Sequence, residues 1–294
     1  MEYSKSVIEL IKARISVRNY QTLSLPIETK KQIEDYILKQ EQVTTVLGSK
    51  LRFRLLEDIE VKENGKIGTY GSISGGRYFI IGAAKNNDQR AALVDYGYVL
   101  EKIVLFLTDW GLGSCWLGLF EKSAFMQKFP LEKDEQTPAV CVFGFSKEKG
   151  IIEKQIRNFS RADKRLPWNN LFFRDTFDSP MSDHLCPEYQ LPLEMLRLAP
   201  SAVNNQPWRV ILIDNKFHFY MKNKMLFSFL GQFFLEHNLQ FVDMGIALSH
   251  FELTANEMGL KGKWIFEKDP PSDKDSKKLV YIISWIILSS KNIS

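Results

Sequence analysis

The sequence has only 3 cysteines and 4 histidines in 294 residues. Cys115, Cys141 and Cys186 form no close pair, and His184, His218, His237 and His250 show none of the short spacings of zinc sites, so neither a disulfide framework nor a metal centre is expected. The longest apolar run, Leu279 to Leu288, is far shorter than the roughly 20 residues of a membrane helix, and its β-branched and aromatic content predicts a buried strand. The opening stretch MEYSKSVIELIKAR carries charges through its apolar part and has no small-residue cleavage site, which leads us to expect a cytoplasmic protein. A large excess of one charge is also missing. With 39 basic and 35 acidic residues the net charge is +4, too small and dispersed to point to nucleic acid or a membrane as partner.

What is present is an ordinary globular composition, 45% hydrophobic and 13% aromatic, and a repeat. Residues 95–116 (DYGYVLEKIVLFLTDWGLGSCW) align without a gap on 243–264 (DMGIALSHFELTANEMGLKGKW). Asp95, Gly97, Leu100, Leu105, Gly111, Leu112 and Trp116 recur as Asp243, Gly245, Leu248, Leu253, Gly259, Leu260 and Trp264. After each repeated helix comes a charged stretch and an apolar strand candidate, Ala139 to Phe145 and Leu279 to Leu288. The expectation is an internally duplicated α+β chain, with halves at 1–160 and 161–294 packed into one unit. Val99, Leu100, Ile103, Val104, Leu105, Phe106 and Leu107 spread apolar surface around most of the first helix, so it should be buried on several sides, with the two helices meeting about a pseudo-twofold axis.

Elsewhere, Ser4 to Arg14 reads as a helix, and Ser24 before Pro26 as the start of another leading into Ile27, Ile33 and Ile37. Strands are predicted at Leu51 to Leu56 and Tyr78 to Ile81, and a hairpin about Asp214-Asn215 between Val210 to Ile213 and Lys216 to Tyr220. The glycines of 68–76 lie between strands, the wrong order for a dinucleotide fingerprint.

Three segments carry candidate chemistry. Arg14, Ser16 and Arg18 stand at alternate positions just past a helix, so in an extended segment all three point one way and could clasp a phosphate. Taken alone they read better as a solvated basic edge. LAPSAVNNQPW (198–208) is stiffened by Pro200 and Pro207 and crowds Ser201, Asn204, Asn205 and Gln206 into one loop; it could read the rim of a planar heterocycle or simply turn a helix into a strand. In WGLGSCWLG (110–118), Gly111 and Gly113 allow left-handed geometry and close approach of a ligand. Cys115 between hydrophobic neighbours is read as buried, and no catalytic side chain is assigned.

In order and spacing these segments resemble the nitroreductase family, and the likeness covers most of the chain. The resemblance implies an FMN phosphate held by Arg14, Ser16 and Arg18, with Lys164 and Arg165 of ADKRLPWNNLFF (162–173) as a late basic addition. Its most specific element is the Ala-Pro-Ser-x-x-Asn-x-Gln-Pro-Trp match from Ala199 to Trp208, which implies that Pro200, Ser201, Ala202 and Asn204 border the isoalloxazine. Gly113 and Ser114 would add backbone or hydroxyl contacts.

Ordinary members carry both motifs in one subunit, and each site draws its phosphate ligands from one subunit and the Pro-Ser-Asn loop from the other. Here each half keeps one. QVTTVLGSKLRF (42–53) stands where the first Pro-Ser-Asn loop would be, and FDSPMSDHLCPEY (177–189) where the second arginine segment would be. The chain therefore resembles the fused subgroup, a monomer in which one polypeptide mimics the homodimer and builds one site. The implied activity is ping-pong hydride transfer from NADH or NADPH through FMN to a small electron-poor acceptor such as a nitroaromatic or quinone. A flavin-binding sensor or carrier without turnover, and a degenerate scaffold without flavin, are the alternatives.

Overall fold

A computed structural model describes residues 3–59, 73–147, 164–183, 186–222, 238–271 and 279–288. The glycine-bearing stretch 68–72, His184, His237, and 162–163 of the basic segment lie outside the described residues. The chain divides into two compact units, Met1–Asp163 and Lys164–Ser294.

The first unit runs α1 (Val7–Ala13), α2 (Ile27–Glu41), β1 (Lys50–Glu57), β2 (Tyr78–Lys85), α3 (Gln89–Asp109), β3 (Gly113–Leu117), α4 (Lys122–Lys128) and β4 (Val140–Gly144). Its sheet has the order β1-β2-β4-β3, antiparallel throughout. The Asp88 carboxylate accepts from the Arg90 N–H at 2.8 Å and starts α3, which is buried over most of its length, as its apolar circumference requires.

Two helix starts differ from expectation. Helix α1 begins at Val7 because Ser4 is drawn away: its N–H and Oγ donate to the Asp109 carboxylate at 2.6 and 2.7 Å. Helix α2 begins at Ile27 with Pro26 at its N-cap, while Ser24 Oγ accepts from Arg77 instead. Ile27 is 86% exposed. It lies six residues before Ile33, about 240° around the helix from the stripe of Ile33, Tyr36 and Ile37 that packs inward.

The second unit runs β5 (Phe172–Arg174), β6 (Thr176–Pro180), α5 (Gln190–Arg197), β7 (Trp208–Ile213), β8 (Lys216–Lys222), α6 (Leu239–Glu257), β9 (Gly262–Ile265) and β10 (Leu279–Ile287). The sheet order is β6-β5-β7-β8-β10-β9, with only β5 and β7 parallel. The expected hairpin is present, and Asp214 takes the left-handed φ of 52° that its two-residue turn needs. Strand β10 is internal, between β8 and β9, and its central residues Ile282 to Trp285 are buried.

Within this sheet, β7-β8-β10-β9 repeats the order and directions of β1-β2-β4-β3. The repeated segments also fold alike. Helices α3 and α6 both end in a left-handed glycine, Gly111 and Gly259, each with φ 73°. In both, the glycine N–H and the following leucine N–H close back onto the last turn: Gly111 to Thr108 and Leu112 to Leu107, Gly259 to Asn256 and Leu260 to Ala255. Each repeated tryptophan then donates its indole N–H to a glutamate of the preceding helix, Trp116 to Glu101 at 2.9 Å and Trp264 to Glu252 at 3.0 Å.

Candidate functional site

In the first unit the segment after α1 is threaded beside β3. Arg14 caps the helix, and the chain then turns extended: Val17 N–H donates to the Ser114 carbonyl at 2.8 Å, and Arg18 O accepts from Ser74 N–H at 2.9 Å. Tyr20 pins the bend through its hydroxyl, which donates to the Val17 carbonyl at 2.5 Å.

A cleft of about 350 Å³ opens where this segment meets the end of α3 and the start of β3. Arg14, Ile15, Thr108, Gly111, Gly113 and Ser114 line it, together with Ser146 and Lys147 just past β4. Of the sequence-predicted Arg14, Ser16 and Arg18, only Arg14 lines this cleft; its N–H still closes the helix onto Leu10 O, while its backbone is already extended, with φ −62° and ψ 120°.

The Arg14 side chain is 7% accessible, and its Nε lies 3.7 Å from Glu101 Oε1, whose carboxylate is fully buried in α3. Glu101 thus orients the guanidinium. Arg14 Nη1 is buried and has no hydrogen-bond partner, and the same holds for Arg18 Nη1. Buried guanidinium nitrogens without acceptors are costly, and they suit an anion with several acceptor oxygens.

Gly113 is not left-handed, contrary to expectation; it lies in β3. A Cβ there would meet Val17 Cγ2 at 2.8 Å, so its smallness lets the arginine-bearing segment approach. Ser114 is buried, and its carbonyl is taken by Val17. Cys115 and Cys141 are buried, and desolvation pushes the Cys141 thiol well up, so neither is poised as a nucleophile. Lys147 and Ser146 escaped the sequence reading, since nothing in FGFSKEK marks them without the fold.

In the second unit the loop from Ala199 to Pro207 is a tight knot. Val203, Asn204 and Gln206 adopt positive φ of 47°, 56° and 49°. Ser201 Oγ accepts from Gln206 N–H at 2.9 Å, and Asp243 Oδ1 on α6 accepts from Ala202 N–H at 3.0 Å. The side-chain amides of Asn204 and Gln206 bind the 164–166 segment, as in an ordered turn between helix and strand. Asn204 Nδ2 donates to the Lys164 carbonyl at 2.8 Å, Gln206 Oε1 accepts from Leu166 N–H at 2.7 Å, and Gln206 Nε2 donates to Asn204 Oδ1 at 3.1 Å.

Arg165 reaches Leu198 O through Nη2 at 3.0 Å. It too is tied into this knot. The loop leaves Pro200, Ser201, Ala202 and Asn204 half-buried and Val203 40% exposed, while Asn205 and Gln206 are buried.

Among the described residues no cluster of histidine, cysteine or acidic groups could hold a metal ion, and no helix is long and apolar enough to cross a membrane. A helix-backed sheet in each unit, antiparallel in the first and antiparallel but for one parallel pair in the second, with an arginine segment beside one and a Pro-Ser-Asn loop beside the other, defines a nitroreductase-like α+β fold. The chain belongs to the family described as "Putative TM nitroreductase", whose model matches residues 6–255.

Among solved structures, "a putative nitroreductase" from Thermotoga maritima is 24% identical, with a TM-score of 0.58 over 96% of this chain and 94% of that one. A nitroreductase family protein from Clostridium novyi covers 51% of this chain and 91% of its own, at 19% identity and TM-score 0.37. A nitroreductase with bound FMN from Bacteroides fragilis covers 50% of this chain and 92% of its own, at 16% identity and TM-score 0.40. No curated protein sequence matches the chain.

Proposed function

We propose that this protein is an FMN-dependent oxidoreductase of nitroreductase type that takes hydride from NADH or NADPH and passes it to a small electron-poor acceptor. The observation that carries the reading is the pair of buried, unpartnered guanidinium nitrogens, Arg14 Nη1 and Arg18 Nη1, the first beside a cleft and held by Glu101. They fit a phosphate.

On this reading Arg14, Ser16 and Arg18 hold the phosphate, and Lys147 adds a cation at the cleft. Gly113 and Ser114 set the distance of the segment from β3. The Pro200 to Ala202 lip borders the ring system, presenting small surfaces that exclude water from one face, while Asn204 and Arg165 act by holding that lip in shape. Lys164 contributes charge near the same loop. When bound, FMN supplies the redox chemistry, and no side chain is needed as an obligatory acid. Because each half retains only one of the two motifs, the reading is one FMN per chain, in a monomer that works in the cytoplasm.

Titration with FMN, followed by flavin absorbance and fluorescence together with the mass in solution, tests this. Saturation near one FMN per monomeric chain, weakened by Arg18→Ala and by Asn204→Ala alike, is the expected result. No binding overturns the flavoenzyme reading in favour of a scaffold, and binding without NAD(P)H oxidation replaces it with a flavin carrier.

A further inference from the structure

Asp95 and Asp243 hold the same place in the repeated helices and do the same job: each reaches the loop that leads into the first core strand of its unit. They differ in how completely they are satisfied. Asp95 accepts from Leu47 N–H at one oxygen and from Ser49 N–H at the other, both at 2.9 Å. Asp243 accepts only from Ala202 N–H, at Oδ1; its Oδ2 is buried with no partner. The less satisfied aspartate serves the loop that kept the Pro-Ser-Asn motif.

We propose that Asp243 is a positioning residue for ligand binding, holding the Ser201 to Gln206 knot through Ala202 N–H so that the Pro200 to Val203 lip is preformed for the flavin ring. This rests on the FMN reading for its ligand, though not for its structural half. The knot contains three non-glycine residues with positive φ, a conformation that costs free energy at each position and persists only if the surroundings hold it. Asp243 supplies the one side-chain anchor to Ala202, at the centre of that turn.

Burial pushes the Asp243 carboxyl up to about 8, opposed only by the Ala202 N–H. The charged groups of the elements packed on α6 are engaged elsewhere. Glu194 and Arg197 of α5 pair with each other at 2.7 Å, His218 of β8 meets Ser284 Oγ at 2.8 Å, and His250 of α6 itself meets the Met195 carbonyl at 3.0 Å. A carboxylate accepts more strongly than a neutral acid, so the hold on Ala202 tightens as Asp243 ionises.

The test compares Asp243→Ala, Asp243→Asn and Asp95→Asn. Amide hydrogen exchange over 201–206 is expected to speed up in Asp243→Ala and to stay near wild type in Asp243→Asn, which keeps an acceptor oxygen. The FMN Kd should rise about tenfold in Asp243→Ala, the scale of one lost hydrogen bond to a buried N–H. In wild type that Kd should fall as pH rises through about 8, and in Asp243→Asn it should be flat. Asp95→Asn should lower Tm and leave the FMN Kd unchanged.

Unchanged loop exchange in Asp243→Ala overturns the proposal, as does an Asp243→Asn pH profile that matches wild type. If Asp243→Ala does not fold, the Asp243→Asn profile and exchange decide. If wild type binds no FMN, the flavin reading fails, and the exchange data still decide whether Asp243 holds the loop.

Discussion

The loops that enter β1 and β7 occupy equivalent places in the two units and have diverged in opposite directions. The loop before β1 is held by an aspartate whose two oxygens both find backbone N–H groups. The loop before β7 is strained at Val203, Asn204 and Gln206, and is held by an aspartate left half satisfied. Complete satisfaction is what stability favours. Strain and unpaired buried atoms persist where something else is required of a site; Arg14, Arg18 and Asp243 carry such atoms, as do Gln240 and Ser249 of α6, and the Pro-Ser-Asn loop carries three positive φ angles.

That contrast can be broken most directly at Arg14. Arg14→Ala removes a buried guanidinium and its ion pair with Glu101, so the FMN Kd should rise by about 30- to 100-fold, the scale of a charge-assisted phosphate contact. A fluorescence titration in which the variant binds like wild type would remove the first unit from the flavin site.

Glycines beside the two third-position strands sharpen the comparison next. A Cβ at Gly262 would lie 2.2 Å from the Trp285 ring, so Gly262→Ala should cost about 1–3 kcal/mol by overpacking and lower Tm, without changing the FMN Kd. At Gly113 the obstacle is Val17 Cγ2 at 2.8 Å, on the arginine-bearing segment. Gly113→Ala should therefore weaken FMN binding several-fold with a smaller fall in Tm. Equal effects of the two variants on Kd would contradict a specific role for the first unit.

Two smaller effects concern pH. The buried Asp243 carboxyl sits at about 8, against an ordinary 3.8, so the native state holds a proton that the unfolded chain releases between those values. Stability should fall as pH rises across that window and level off above it, and Asp243→Asn should flatten the decline in denaturant midpoints. Glu135 behaves in the opposite sense. The Arg52 guanidinium holds it below the ordinary 4.5 through bonds of 2.8 and 2.6 Å, so its contribution is present above that value and is lost as pH falls through its lowered pKa. Glu135→Gln should cost about 1 kcal/mol at neutral pH and nothing in strong acid.

Much of the frame was legible because it depends on local chemistry. The all-round apolar pattern from Val99 to Leu107 marks a buried helix in any context, Gly111 and Gly259 are placed where helices end, and Asp214-Asn215 turns a hairpin whatever lies around it. The errors came from competition at a distance. Ser4 makes a sound helix start by itself, but Asp109 captures it; Ser24 makes another, but Arg77 takes its hydroxyl. Strands β5 and β6 are too short to show periodicity, and β5 is placed by parallel pairing to β7.

The sequence by itself determined the repeated helix and its closing Gly-Leu, the positions of several core strands along the chain, and the residue types able to grip a phosphate or border a ring, since these follow from periodicity and side-chain chemistry. Only the tertiary structure decided how those residues are used. Asn204, Gln206 and Arg165 turn their polar groups onto their own unit, Arg14 is set by a glutamate far along the chain, and Asp243 is left with one oxygen unpaired. The reason is that a hydrogen bond is assigned by which donors and acceptors the packed chain brings within about 3 Å, and that is a property of the fold.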